Sequence, residues 1–140
     1  MPREDAMGYW FAPGTNSYVA ELDRLKRSSF PADRRVVGSY LLKPNQGGGG
    51  SHVANAAFIV SSDARGNGVG RAMGEHCLAE ARRLGFRAMQ FNFVISTNES
   101  AVHLWQQLGF KIVGTLPAAF RHPEKGYVDV HVMFRSLIDD

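Results

Sequence analysis

Residues 65–70, RGNGVG, put three glycines directly before a segment with helical periodicity, and arginines stand at positions 65 and 71. A glycine-rich turn that opens a helix presents backbone N–H groups with no side chains in the way. The helix N-terminus adds about half a positive charge. This combination is typical of a phosphate or pyrophosphate site. A turn that only caps the helix is the alternative.

Two common phosphate-binding loops do not fit this turn. It ends Val69-Gly70-Arg71, so it has neither the lysine nor the hydroxyl residue with which a P-loop ends. The dinucleotide-binding pattern needs a small residue three positions after its second glycine, and Arg71 or Met73 stands there, depending on which glycines are counted. The end of the next strand also has no acid for a ribose. The sequence therefore disfavours a kinase, a nucleotidase and an NAD enzyme.

The composition predicts one globular domain spanning residues 1–140. Apolar residues make up 44% of the chain and charged residues 21%, as in folded globular proteins. The only cysteine, Cys77, rules out an internal disulfide and a thiolate metal site. It falls on the apolar stripe of the predicted helix, so we predict a packing role for it and no metal in the protein.

The sequence also carries signals for location and for macromolecular partners. No apolar run reaches the roughly 18 residues that a membrane span needs, and the N-terminus MPREDAMGYW does not resemble a signal peptide. We expect a cytoplasmic protein with no membrane partner. The net charge of +3 comes from arginines dispersed along the chain, so we predict no nucleic-acid partner. A homodimer remains open.

The periodicity of apolar residues predicts an α/β protein with a mixed sheet. A helix is expected at 69–84, ended by Gly85, and a second helix after a capping box formed by Ser96 and Glu99. A loop is expected at 117–126. The predicted strands are 17–22, 35–42, 52–60, 87–95, 111–116 and 127–134.

The pattern Arg-x-x-Gly-x-Gly at 65–70, joined to NESAVHLWQQLGF at 98–110, resembles the GNAT superfamily of acetyl-CoA-dependent N-acetyltransferases. The resemblance covers residues 52–135, with weaker agreement over 17–42. It implies a mostly antiparallel sheet, flanked by helices, in which a central pair of parallel strands splays apart. By resemblance those strands are 53–60 and 88–95.

The resemblance also implies which residues bind acetyl-CoA. Amides of the glycine turn would hold the pyrophosphate, the strand before the turn would bond the pantetheine arm through its main chain, and an asparagine at the next helix would add a contact. The residues at these positions are Phe58, Ile59, Val60, Arg65, Gly66, Asn67, Gly68, Val69, Gly70, Arg71 and Asn98.

Three features depart from the family pattern. Trp105 stands where a tyrosine often protonates the leaving thiolate, and it is interpreted as a core residue. The strand before the turn has no glutamate to act as a base. The family's usual first strand and the helix or helices after it are expected to be absent, because the chain enters almost at once into a segment like the second strand.

Acetyl transfer to an amine requires a group that accepts a proton. An ammonium with a pKa of about 10 is only about one part in a thousand free amine at neutral pH. The polar residues predicted at the splay are Asn55 and Asn92, which can orient a water or the substrate. The alternative is that both only satisfy backbone groups. His52 is a further candidate base.

These observations predict direct transfer of acetyl from acetyl-CoA to a primary or secondary amine of a small molecule, amino acid-like or other. The alternative is a coenzyme A-binding module that is non-catalytic or regulatory. Acetylation of a protein N-terminus or side chain is a third possibility.

Overall fold

The computed structural model describes residues 15–23, 34–62 and 68–138. Within these ranges the chain forms a six-stranded sheet and two α-helices. In chain order the elements are β1 (Asn16–Asp23), β2 (Arg34–Pro44), β3 (Val53–Val60), α1 (Val69–Arg83), β4 (Ala88–Ile95), α2 (Glu99–Gln107), β5 (Lys111–His122) and β6 (Gly126–Ser136). Every predicted helix and strand is present. The first residues of the chain, on which the expected absence of a first strand depends, lie outside the described ranges.

The strand order across the sheet is β1-β2-β3-β4-β6-β5. Neighbouring strands are antiparallel except for β3 and β4, which are parallel because α1 connects them in a crossover. The predicted α/β fold, a mostly antiparallel sheet with a central parallel pair, is therefore confirmed.

The parallel pair is joined only at its beginning. Val53 pairs with Ala88 and Ala54 pairs with Met89, and no later residue of β3 pairs with β4. The antiparallel pairing of β3 with β2 continues as far as Val60. The two strands therefore splay apart, as predicted.

On its other side, β4 contains a bulge. Phe91 pairs with Met133 and Val94 pairs with His131, so Asn92 and Phe93 together oppose one residue of β6. Two residues opposite one is the arrangement of a β-bulge, which bends the strand and redirects its side chains. The bulge lies in the part of β4 that has separated from β3.

The core lies between α1, α2 and one face of the sheet. Alternate residues of β2, β3 and the first half of β4 enter it, as strand geometry requires, whereas β5 is mostly exposed. Trp105 packs there against Phe58 and Phe91, and Cys77 is fully buried, so both predicted core residues are confirmed. The core residues are Tyr40, Leu42, Ala54, Ala56, Met73, Cys77, Leu78, Ala81, Met89, Phe91, Val94, Trp105, Leu108, Phe110, Met133 and Leu137.

Two local predictions are wrong. The N-cap of α2 is Asn98, whose side-chain oxygen accepts a hydrogen bond from the Ala101 N–H, and not Ser96. The segment 117–126 is mostly strand, because β5 resumes pairing with β6 at Phe120 after an irregularity. Within that irregularity the Ala118 N–H donates to Asp129 Oδ1, so a side chain replaces the missing ladder bond.

Polar contacts fix α1 against the first two strands. The Tyr18 hydroxyl donates to Glu80 at 2.8 Å, and Arg83 donates two hydrogen bonds to the same carboxylate. Tyr40 and His76 share a further hydrogen bond. The bonds from Arg83 and Tyr18 stabilise the ionised carboxylate and lower the pKa of Glu80 to about 2.

We predict that Glu80→Gln destabilises the protein at neutral pH and does so less as the medium becomes acidic. A carboxyl whose pKa is lowered by folding stabilises the native state above its ordinary pKa of 4.5, and that contribution disappears as the pH falls toward 2. Urea unfolding of both proteins between pH 7 and pH 3 measures the difference. Tyr18→Phe, which removes one donor to Glu80, should show a smaller effect of the same form. A difference that does not change with pH would contradict this account.

Candidate functional site

Among the described residues, no side chain caps the N-terminus of α1. The first intrahelical hydrogen bond runs from the Ala72 N–H to the Gly68 carbonyl, so the N–H groups of Val69, Gly70 and Arg71 have no acceptor within the helix. The N-cap residue Gly68 has no side chain, and no acid stands in the first turn. The first turn itself therefore contributes no negative charge to offset the positive end of the helix dipole. This donor set suits an anionic ligand.

The two glycines at this end have different structural roles. Gly68 has φ +76°, in the left-handed region that favours glycine. Gly70 lies in the first turn of the helix, and a Cβ placed on it would meet only Leu104 Cδ2, at 3.5 Å. The described residues therefore leave space for a Cβ at both positions, and only the positive φ of Gly68 favours glycine. Arg65, Gly66 and Asn67, which the sequence assigns to the same site, lie outside the described residues.

The Arg71 side chain makes an ion pair with Glu75 and a hydrogen bond with Gln107. Its Nε lies 3.6 Å from Glu75 Oε1, and its Nη1 donates to Gln107 Oε1 at 3.3 Å. The side chains of Arg71 and Glu75 are 50% and 60% exposed, and an ion pair this exposed adds little stability. Glu75 therefore offsets part of the Arg71 charge at this end of the helix.

The β3 residues assigned to the pantetheine arm lie along the splay. Phe58 and Val60 pack against the core, while Ile59 points away from it and is 57% exposed. The edge of β3 that faces β4 has no strand partner beyond Ala54 among the described strands. A strand edge of this kind can accept an extended ligand through main-chain hydrogen bonds.

Asn92 belongs to a chain of three amide side chains. Gln90 Nε2 donates to Asn92 Oδ1 at 2.9 Å, and Asn92 Nδ2 donates to Asn45 Oδ1 at 2.6 Å. Asn45 follows β2 and also donates its own N–H to the Val53 carbonyl. The chain therefore links the bulge of β4 to the end of β2. Sequence reasoning missed both Asn45 and Gln90. The i, i+2 spacing of Gln90 and Asn92, which puts them on one strand face, is the signal that could have indicated Gln90.

Asn55 lies on the same face of the sheet as Asn92. It alternates with the buried residues Ala54 and Ala56, so its half-buried side chain points away from the helices. The two asparagines therefore flank the splay from opposite strands, as the sequence predicts. The side-chain hydrogen bonds of Asn92 go to Gln90 and Asn45.

Asn98 is already engaged, because its side chain caps α2. Its contact with a coenzyme stays a prediction. His52 is exposed, and His122 accepts hydrogen bonds from Glu124 and Lys125 in the turn between β5 and β6. Across the described ranges, no three metal-binding side chains lie close enough to hold an ion, and no helix is long and apolar enough to cross a membrane.

Comparison with known proteins identifies the family. Residues 3–110 match the acetyltransferase (GNAT) family. The chain belongs to that family. N-acetyltransferase aca1 of Schizosaccharomyces pombe is 37% identical over 149 residues, which cover 99% of this chain and 71% of that protein. The GNAT chain is therefore an acyltransferase, and its relatives support acetyl transfer.

Solved structures agree with the architecture of this acetyltransferase. A GCN5-related N-acetyltransferase from Kribbella flavida is 45% identical with a TM-score of 0.86, over 97% of this chain and 77% of that one. The protein yncA from Salmonella typhimurium, solved with its cofactor acetyl-CoA, is 22% identical with a TM-score of 0.67. The match covers 76% of this chain and 61% of that one, and it shows a shared fold.

We predict that Asn45 and Asn92 are energetically coupled. A neutral hydrogen bond contributes about 0.5–1.5 kcal/mol, so a double-mutant cycle with Asn45→Ala and Asn92→Ala should give a coupling near the lower end of that range. Urea denaturation supplies the four unfolding free energies. The matched control pairs Asn45→Ala with Asn98→Ala, whose effects should add because Asn98 caps α2. Additivity in the first cycle would show that the amide chain is not formed in solution.

Proposed function

We propose that this GNAT acetyltransferase transfers acetyl from acetyl-CoA to a primary or secondary amine of a small molecule, amino acid-like or other, by direct attack and without a covalent enzyme intermediate. The observation that carries the proposal is the splay of β3 and β4, together with an α1 N-terminus whose first N–H groups have no acceptor within the helix. One element offers amides for phosphates, and the other leaves a strand edge for the arm that ends in the thioester.

The described residues fit the coenzyme by the chemistry of their donors. The N–H groups of Val69, Gly70 and Arg71 have no acceptor within the helix, and the first turn of α1 contains no acid. They would hold the pyrophosphate, while main-chain groups from Phe58 to Val60 would hold the pantetheine arm. Acetyl-CoA supplies an activated acetyl thioester. The protein supplies binding, orientation and backbone N–H groups near Phe58 that polarise a carbonyl.

Direct attack is favoured over an acetyl-cysteine route. Cys77 is fully buried in the core, and burial raises the pKa of its thiol to about 12. A thiol in this state is almost wholly protonated at neutral pH and is inaccessible to a substrate, so it cannot act as the nucleophile. The acceptor nitrogen itself must then attack.

The side-chain amides of Asn92 and Asn55, on the sheet face away from the helices, would orient the acceptor amine and its proton. Asn92 is held by Gln90 and Asn45, which restricts its rotamers before any substrate binds. A fixed amide oxygen can accept a hydrogen bond from an ammonium or from a water that removes the proton. Asn55, on the other side of the splay, would contribute a second orienting group.

We predict that Gly70→Ala weakens acetyl-CoA binding far more than it weakens folding. The protein accommodates a Cβ at this position with one ordinary contact, so a loss of affinity would come from the approach of the ligand. Calorimetry should show at least a tenfold increase in Kd, whereas Arg71→Ala should cost only a few-fold because the amides remain.

The matched control for Gly70→Ala is Gly114→Ala, since a Cβ at Gly114, on β5, meets nothing within 4 Å. Gly114→Ala should bind acetyl-CoA like the parent. If Gly70→Ala also binds with unchanged affinity, the assignment of this helix end to the pyrophosphate is wrong.

We predict the reverse pattern for Asn92→Ala: acetyl-CoA affinity nearly retained and kcat reduced by about 10- to 100-fold, as for a group acting on the proton or its orientation. Thiol release measured over a panel of small amines gives the rates. Asn45→Ala should lower kcat less, and Asn45→Asp should keep most of the activity because it retains the accepting oxygen. Binding of acetyl-CoA without transfer to any amine would refute the proposal of small-amine acetylation.

A further inference from the structure

The bulge of β4 exposes a phenylalanine beside the candidate catalytic amide. Asn92 and Phe93 together oppose one residue of β6, so the bulge presents both side chains away from the core. Asn92 is exposed, and Phe93 is 53% exposed. The exposed Phe93 ring and the neighbouring Asn92 amide therefore form a surface that is partly apolar and partly polar.

Phe93 is not alone on this face. Its ring meets the half-buried ring of Phe120 edge to face, with centroids 6.3 Å apart. Across the splay, Ile59 also points away from the helices and is 57% exposed. Single exposed apolar residues are ordinary on a protein surface, but here Ile59 and Phe93 stand on the two splayed strands. Phe120 of β5 extends this apolar surface through its contact with Phe93.

The exposed residues of the splayed strands lie on the sheet face away from the helices. α1 and α2 pack on the core face, whereas Ile59, Asn92 and Phe93 are exposed on the opposite face. An acceptor amine that reaches the splay from this side passes the aromatic pair. The polar groups of the amide chain, the side chains of Gln90, Asn92 and Asn45, are neutral.

We propose that the acceptor carries an aromatic or branched apolar group close to its amine, and that Phe93 selects it by packing against that group. This inference rests on the proposed function, because it concerns the acceptor side of the same splay. An apolar wall favours an amine that loses apolar surface on binding, whereas a second ammonium placed against the rings would lose its hydration. Linear diamines and polyamines are therefore poor acceptors.

The test compares 2-phenylethylamine with putrescine, two unhindered primary amines that differ in the group beyond the amine. The kcat/KM of the parent protein should favour 2-phenylethylamine by at least about tenfold, a discrimination that apolar contacts can supply. Phe93→Ala should reduce kcat/KM for 2-phenylethylamine by about tenfold or more, mainly through KM, and change putrescine by less than about threefold. Phe93→Leu should retain most of the preference.

Val113→Ala is the matched control. Val113 is also an apolar residue at a register shift, between Ile112 and Gly114 of β5, and it is 60% exposed. Its substitution should leave the selectivity unchanged. A higher kcat/KM for putrescine in the parent, or an equal loss for both amines in Phe93→Ala, would overturn the inference. Urea unfolding of each variant shows that the comparison is made between folded proteins.

Failure of the proposed function gives a different result. If acetyl-CoA binds but neither amine is acetylated, small-amine transfer is refuted. The inference about Phe93 is then tested by calorimetry, which measures the affinity of coenzyme A-saturated protein for each amine. Tighter binding of 2-phenylethylamine that is lost in Phe93→Ala would support an apolar-amine site. Equal affinity for the two amines would reject it.

Discussion

Parallel pairing between β3 and β4 ends after Ala54 and Met89, and the rest of the site depends on that early separation. Had the ladder continued, the facing backbone groups of the two strands would satisfy one another and leave no edge for a ligand. The pairing of β3 with β2 and of β4 with β6 holds each strand from its outer side. The opening can therefore exist without loss of the sheet.

The helices cover one face of the sheet, and α1 also supplies backbone donors. α1 is the element that follows the splayed strand β3 in the chain, and its first turn contains no acid. Tyr18, Glu80 and Arg83 fix the other half of the helix against β1. Trp105 fills the space between α2 and the splayed strands, where it packs against Phe58 and Phe91. The Trp105 indole therefore has a packing role at the position where the family often has a tyrosine.

The asparagines show how one residue type acquires different roles from its surroundings. Asn98 stands before a helix, and its oxygen accepts a hydrogen bond from the Ala101 N–H, which is a local interaction. Asn92 stands in a bulge, and its partner Asn45 is 47 residues away in sequence. The first role follows from position relative to one helix. The second exists only because two strands and a connecting segment meet in the folded chain.

The sequence by itself determined the elements whose signals are local. The apolar period over residues 69–83 and the glycine that follows define α1 to within one residue, and the glycine turn with the later NESAVHLWQQLGF segment identifies the family. The splay could be expected from that resemblance. These features depend on neighbouring residues, whose spacing is visible in the chain itself.

Only the tertiary structure decided the rest. The cap of α2 is Asn98 and not Ser96, because the folded chain begins the helix at Glu99 and the Asn98 oxygen accepts from the Ala101 N–H. The strand β5 continued past Pro117 because Asp129 of β6 satisfies the Ala118 N–H. The bulge that exposes Asn92 and Phe93 arises from the register between β4 and β6, and register is a relation between distant segments that neither segment encodes alone.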